Sequence, residues 1–309
     1  MENYFHRDKG NGGNQIKVRS AIKAGWLLLR DAFREFQMND PLRMAAATSF
    51  FASFALPPIM IILIEVLGIF GNAKTIRRDL FEQLGIVLDK NIAQQIREIL
   101  RNLHYLSLNR SMRITGFIFL LFVATTLFEV IKNSLNQLWK IKQKEHQGIG
   151  FLLLYRAKSI GIIMIAGLLF SMVVLGDARV WLLPKEAGGI AYRLITMVAV
   201  ITWFTLILKY LSYGRPSWKT AVAGGIFTGI LFTLGELLLH LVFSYNNMKT
   251  IYGTSTSLVL LLLFIFYCSF IFYFGACFTL VFAIRIKRPI MPNRHAIGYT
   301  LENVELEGK

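Results

Sequence analysis

Residues 256–284 read TSLVLLLLFIFYCSFIFYFGACFTLVFAI, and this stretch decides the fold class. A helix needs about 20 mostly apolar residues to cross a bilayer, and this run exceeds that without one charged side chain. Five further apolar runs precede it, at roughly 44–70, 114–138, 159–183, 191–211 and 220–244. In hydrocarbon every backbone polar group must be bonded within the segment, so runs of this length cross as helices. Barrel strands would instead alternate over segments of about ten residues. The expected fold is therefore an all-α integral membrane protein with six transmembrane helices. Composition agrees: 55% of the 309 residues are hydrophobic and 17% are charged, where soluble domains carry about a quarter charged residues. The mean hydropathy is +0.52.

Charge gives the orientation. The chain holds 34 Lys and Arg against 18 Asp and Glu, a formal net charge of +16. Such an excess in a soluble protein would suggest nucleic acid. Around apolar runs it reads instead as basic flanks facing anionic lipid, so membrane lipids are the expected partner and nucleic acid is not. Counting basic residues near the run ends places most of them inside when both termini are cytoplasmic, although the first external segment is itself fairly basic. No short apolar run with a cleavage site opens the sequence, so the first span is expected to act as an uncleaved targeting signal. The expected location is the bacterial cytoplasmic (inner) membrane.

Three regions result. Residues 1–43 form a cytoplasmic tail, 44–285 the membrane domain, and 286–309 a second cytoplasmic tail. In the first tail Ile22, Trp26, Leu29, Phe33 and Phe36 recur at helical spacing, with Lys17, Lys23, Arg30 and Arg34 off that stripe. This is an amphipathic helix that either lies on the cytoplasmic leaflet or docks on the bundle. Between the first two spans, residues 71–113 form an external helical segment. Leu80, Leu84 and Leu88 mark one short helix there, and Ile92, Ile96, Ile99 and Leu103 another.

Ionisable side chains inside spans are costly and are functional candidates. Glu65 lies near the outer end of the first span. Glu129 and Lys132 share a face of the second, an arrangement that suits a local ion pair. Glu236 and His240, four apart on the fifth, also share a face, where a carboxylate beside an imidazole can relay protons. Glu65, Glu236 and His240, with Ser49 and Ser53, make a candidate polar pathway. The alternative for Glu236 and His240 is a satisfied pair that fixes helix packing.

Pro57 and Pro58 interrupt the first span. Proline lacks the amide donor and disfavours helix in the residue before it, so a kink or break is expected there, with Ser49 and Ser53 as partners for freed carbonyls. Small residues at Ala221, Gly225 and Gly229 form a close-packing stripe, usable within the chain or between copies in a homo-oligomer. Tyr252 to Ser257 can cap the last helix or line a polar entrance.

The five His residues are isolated from one another in sequence. No metal-ligand cluster, phosphate loop or nucleophile elbow is present. Cys268 and Cys277 are nine apart on one helix and cannot pair within it. No catalytic residue, metal or cofactor is expected, and the chain is not read as an enzyme.

Several ordered segments resemble the YihY/virulence factor BrkB family of bacterial membrane proteins. They are Asp40–Pro41–Leu42–Arg43 leading into Ala45–Ala46–Ala47–Thr48–Ser49–Phe50–Phe51, then Asn136–Gln137–Leu138–Trp139 before a basic loop. Arg215–Pro216 up to Gly225 follows, and then Tyr252–Gly253 to Leu258 with Gly275–Ala276 beyond. The resemblance covers roughly residues 20–285 and implies a six-span protein of the cytoplasmic membrane. It would also import the label ribonuclease BN. A metal-dependent nuclease needs clustered His and Asp ligands, which this sequence does not offer, so that activity is not expected. Two functions stay open: a transporter-like protein for a small solute, ion or lipid, and a non-catalytic membrane scaffold or envelope-maintenance protein.

Overall fold

The computed structural model describes residues 12–68, 110–144, 188–245 and 256–300, with positions 77, 78, 80, 81, 94, 97 and 98. The apolar run 159–183 and most of the external segment 71–113 lie outside the described residues. Among the described residues there are six helices: α1 (Gly12–Gln37), α2 (Pro41–Gly68), α3 (Arg110–Leu138), α4 (Gly188–Tyr210), α5 (Trp218–Tyr245) and α6 (Thr256–Arg285). One of them, over Leu258–Arg285, is by length and composition apolar enough to cross a membrane; the apolar part of α4, Leu194–Tyr210, is shorter.

Local chemistry sets the helix ends. Asn39 closes α1 by donating its carboxamide to the Glu35 carbonyl at 2.7 Å. Pro41 then opens α2 at the first helical position, where a missing amide costs nothing. Ser217 caps α5, its hydroxyl accepting the Thr220 amide at 3.3 Å. Lys287 ends α6 with a left-handed φ of 56°. The Arg288 amide reaches the Ala283 carbonyl at 2.9 Å and the Lys287 amide reaches that of Ile284 at 3.0 Å, the paired bonds of a Schellman turn.

The α2 helix runs unbroken through Pro57 and Pro58, so the chain does not break where the prolines suggested. A φ near −65° suits a helix, and the prolines remove two amide donors from its interior. Ser49 and Ser53 do not bond the carbonyls freed by those donors either. Their hydroxyls donate to Ala46 and Phe50 carbonyls at 2.9 and 2.8 Å. Short polar side chains in helices commonly bond back to the preceding turn in this way.

Helix α6 is the strut: α1, α2, α3 and α5 all pack on it, while α4 packs on α5. The α5–α6 contact depends on close approach. Gly224 leaves room for the side chain of Thr279, and Gly275 leaves room for that of Thr228. The two Gly-x-x-x-Thr segments thus interlock in antiparallel fashion. Each threonine hydroxyl is satisfied within its own helix, at 2.7 Å to the Gly224 and Gly275 carbonyls. One helical step round, Gly225 and Gly229 face Thr205 and Ile201 of α4. The small-residue stripe is therefore seated inside the chain, and Ala221 beside it is fully buried.

Apolar rows point outward. Val222, Ile226, Ile230 and Leu234 repeat every fourth residue on the exposed side of α5, and Phe50 and Phe54 do so on α2. Apolar patches of this extent mark contact with lipid or a partner.

The stripe on α1 divides. Ala32 and Phe36 are buried, with the Phe36 ring 4.7 Å from that of Phe270. Trp26 and Phe33 are exposed. The C-terminal half of α1 is thus docked along α6. The segment 286–309 is also more than a tail. Over 291–298 it forms two strands, β3 (Met291–Pro292) and β4 (Ala296–Gly298). β4 pairs antiparallel with β1 (Ile141–Gln143), with Ile141 opposite Gly298. β3 pairs antiparallel with β2 (Gly214–Arg215), with Arg215 opposite Met291. Between α2 and α3, Arg97 stands over the Phe81 ring at 4.9 Å, a contact between the two stretches read there as short helices.

The interlock makes a prediction. Gly224→Ala or Gly275→Ala places a methyl group where a threonine sits and should cost about 1–3 kcal/mol. Gly25, exposed in α1 with open space around it, should instead gain up to about 1 kcal/mol on replacement by Ala. Thermal unfolding in detergent distinguishes the three variants.

Candidate functional site: a polar cluster at the clamped end

The strands gather where α3 and α6 finish and α2 and α5 begin. A polar cluster lies within this clamped end. At its centre is Asn136, in the last turns of α3. Its carboxamide oxygen accepts from the Ser212 hydroxyl at 2.8 Å and the Tyr213 amide at 3.0 Å. The Ser212 hydroxyl in turn accepts the Gly214 amide at 2.9 Å. Buried backbone donors need such partners, and here one side chain supplies them to a segment 77 residues away.

Trp139, one turn later, donates its indole N–H to the Ala276 carbonyl of α6 at 3.1 Å. Gly214 packs against the Trp139 ring, Ile141 and Ile290, leaving no space for a Cβ. Asn136 and Trp139 therefore fix α3 to the α4–α5 connection and to α6. The C-terminal strands complete the clamp. The Asn293 amide bonds the Tyr213 carbonyl at 2.9 Å, Lys144 bonds His295 at 3.0 Å, and Tyr299 bonds Lys140 at 2.9 Å, each through backbone atoms.

Lys132 lies one turn before Asn136 and is 2% exposed. Its ammonium stands 3.9 Å from the centre of the Tyr213 ring, a cation–π distance that gains strength away from water. The Tyr213 hydroxyl donates to Gln143 Oε1 at 2.9 Å. Behind this group the fully buried Tyr273 of α6 shares a 2.6 Å hydrogen bond with Thr48 of α2, and the Ser134 side chain of α3 also bonds Tyr273. At the rim, Lys140 forms an ion pair with Glu35 of α1 at 3.0 Å. Four helices and two loops thus meet through polar side chains inside an apolar bundle.

The sequence-derived residues fall in two places. Lys132 and the half-buried Glu129 belong to the clamped end. Ser49 is buried one residue after Thr48, and Ser53 lies a turn further along α2. The backbone puts Glu65 in the last turn of α2, and Glu236 and His240 in the second half of α5. The side chains of Glu65, Glu236 and His240, and of Pro57 and Pro58, lie outside the described residues. Beside Glu236, the Tyr267 hydroxyl of α6 packs on Gly235. Among the described residues, no three His, Cys, Asp or Glu side chains come together.

Sequence reasoning did not identify Tyr213, Tyr273, Thr48 or Gln143 as site residues. Asn136 and Trp139 stood out only as carriers of the family resemblance. Their physical signal is a carboxamide and an indole at the last turns of an apolar helix, where both need buried partners. Asn136→Ala leaves the Tyr213 amide and Ser212 hydroxyl without their acceptor. The expected loss is about 1–3 kcal/mol, read as a lowered unfolding midpoint.

Three similar bacterial proteins are each named UPF0761 membrane protein. One from Chromohalobacter salexigens is 24% identical over 77% of this chain and 58% of its own length. One from Pseudomonas aeruginosa is 24% identical over 84% and 63%. One from Legionella pneumophila is 20% identical over 88% and 66%. The chain thus spans less than two thirds of the length of these relatives. No solved structure matches it. The family model for virulence factor BrkB matches residues 32–296, from the docked half of α1 through the first residue of β4. The chain is a membrane protein and belongs to the virulence factor BrkB family.

Proposed function

We propose that this protein crosses the bacterial cytoplasmic membrane six times, with both termini inside, and moves a small solute, ion or lipid across it. The outward apolar rows of α2 and α5 support the embedding, and the run 159–183 supplies the sixth crossing. The observation that carries the transport reading is Lys132. An ammonium buried among helix ends is costly in a membrane, and such groups generally serve solute or proton pathways. The Tyr213 ring covers that ammonium, and Tyr273, Thr48 and Ser134 form a separate hydroxyl cluster within the same end of the bundle. Glu65, Glu236 and His240 are the further ionisable residues of the apolar runs.

This reading includes no catalysed reaction, cofactor or nucleic-acid partner. Membrane lipids are the partner. A second copy, in a homo-oligomer, would use a face other than Gly225 and Gly229, which α4 covers. A second reading, a non-catalytic scaffold that maintains the envelope, draws support from the interlocked α5–α6 contact and the strand clamp. Both are rigid constructions.

Proton and ion flux, with lipid transfer measured alongside, in liposomes holding the purified full chain separates the two. The transport reading expects flux in the wild type, lowered at least tenfold by Lys132→Met and by Glu236→Gln while unfolding midpoints hold. Absence of all three fluxes favours the scaffold. Flux that both variants keep removes Lys132 and Glu236 from the pathway.

A further inference from the structure

Helix α1 presents two chemically distinct faces, and the bundle uses one. Ala24, Leu28, Ala32, Glu35 and Phe36 are buried or half-buried, and the Phe36 ring meets those of Phe270 and Phe274. Away from that face Lys23, Arg30 and Arg34 are all exposed. Their spacings of seven and four put them on a single helical row. Beside this row stand Trp26, 69% exposed, and Phe33, 48% exposed.

The position of α1 gives this face its meaning. Arg285 of α6 donates to the Ala24 carbonyl at 2.7 Å, at the point where apolar α6 gives way to Arg285, Lys287 and Arg288. Lys23 and Trp26 therefore stand near the level where the most apolar helix ends, while Arg30 and Arg34 follow along α1, which runs antiparallel to α6 with Phe33 and Phe36 against Phe274 and Phe270. In a bilayer that level is the headgroup layer, where tryptophan and basic side chains concentrate.

We propose that this outer face of α1 seats an anionic phospholipid. Lys23 meets the phosphate, Trp26 rests beside it on the boundary between headgroup and acyl chain, and Arg30 and Arg34, about 10 and 16 Å further along the helix, add attraction for the anionic surface. Charge selects this occupant over a second copy. A two-fold contact would set the basic row against its own equivalent, whereas an anionic headgroup neutralises it. Asp31, which pairs with Arg30 at 3.2 Å, offsets part of the charge and leaves Lys23 as the main contact. The proposal rests on the membrane reading and is independent of transport.

The test is thermal unfolding of the purified full chain in neutral detergent, titrated with phosphatidylglycerol or phosphatidylcholine. Phosphatidylglycerol should raise the midpoint further than phosphatidylcholine. The triple variant Lys23→Gln, Arg30→Gln, Arg34→Gln should need at least about tenfold more phosphatidylglycerol for the same shift. Its midpoint in phosphatidylcholine should match the wild type, which shows that the fold is intact. An unaltered response to phosphatidylglycerol in the triple variant overturns the proposal, as does an equal response to both lipids in the wild type. A Trp26→Gln variant that dissociates a dimer while keeping the lipid response assigns the face to a second copy, and also overturns it. No gain from either lipid overturns this seat and leaves the membrane assignment, which rests on the family match, untouched.

Discussion

The approach of α5 to α6 at Gly224 and Gly275 is the contact on which the described structure depends. Lipid offers no hydrophobic drive for two apolar helices to pair, so close packing and polar contacts must hold them. The reciprocal fit of Thr279 on Gly224 and Thr228 on Gly275 supplies that closeness. It also sets register. Once these residues interlock, the Tyr267 hydroxyl comes to rest on Gly235, and α5 carries α4 against its other small face through Gly225 and Gly229. Helix α6 then offers its remaining sides to α1, α2 and α3.

The clamped end extends this order into the loops. The carboxamide of Asn136 and the indole of Trp139 join α3 to the α4–α5 connection and to α6. The C-terminal strands then cross-link both loops through backbone bonds. Loops at the end of a bundle ordinarily vary most and move most. Here three of them share one small hydrogen-bonded assembly with a buried ammonium beneath it. The assembly keeps Lys132 at a defined place beside Tyr213.

Much of this was readable from hydropathy. The runs at 44–70, 114–138, 191–211, 220–244 and 256–284 coincide within a few residues with α2 to α6, because length and apolar content dominate helix formation in such segments. The Gly225 and Gly229 stripe was also visible. The neighbouring pair Gly224 and Thr228 was not, since its meaning depends on Gly275 and Thr279 some 50 residues later. The strands at 291–298 were invisible for a similar reason. Each has two or three residues, too few for a periodic pattern, and each exists only through a partner far off in the chain. Pro57 and Pro58 raised a kink or a break, and the helix continues across them, since the fixed φ of proline is itself helical. The buried state of Lys132 could be suspected from the sequence, but the ring of Tyr213 above it could not.

Hydrogen exchange on the full chain in lipid nanodiscs, read by mass spectrometry, tests the clamp most directly. Segments 141–144, 211–216 and 290–299 should exchange slowly and at one common rate, because each is held by the other two and opens only with them. Free exchange of 290–299 while 211–216 stays protected would contradict this, and would show that the C-terminal strands are not part of the structure that holds the bundle's end.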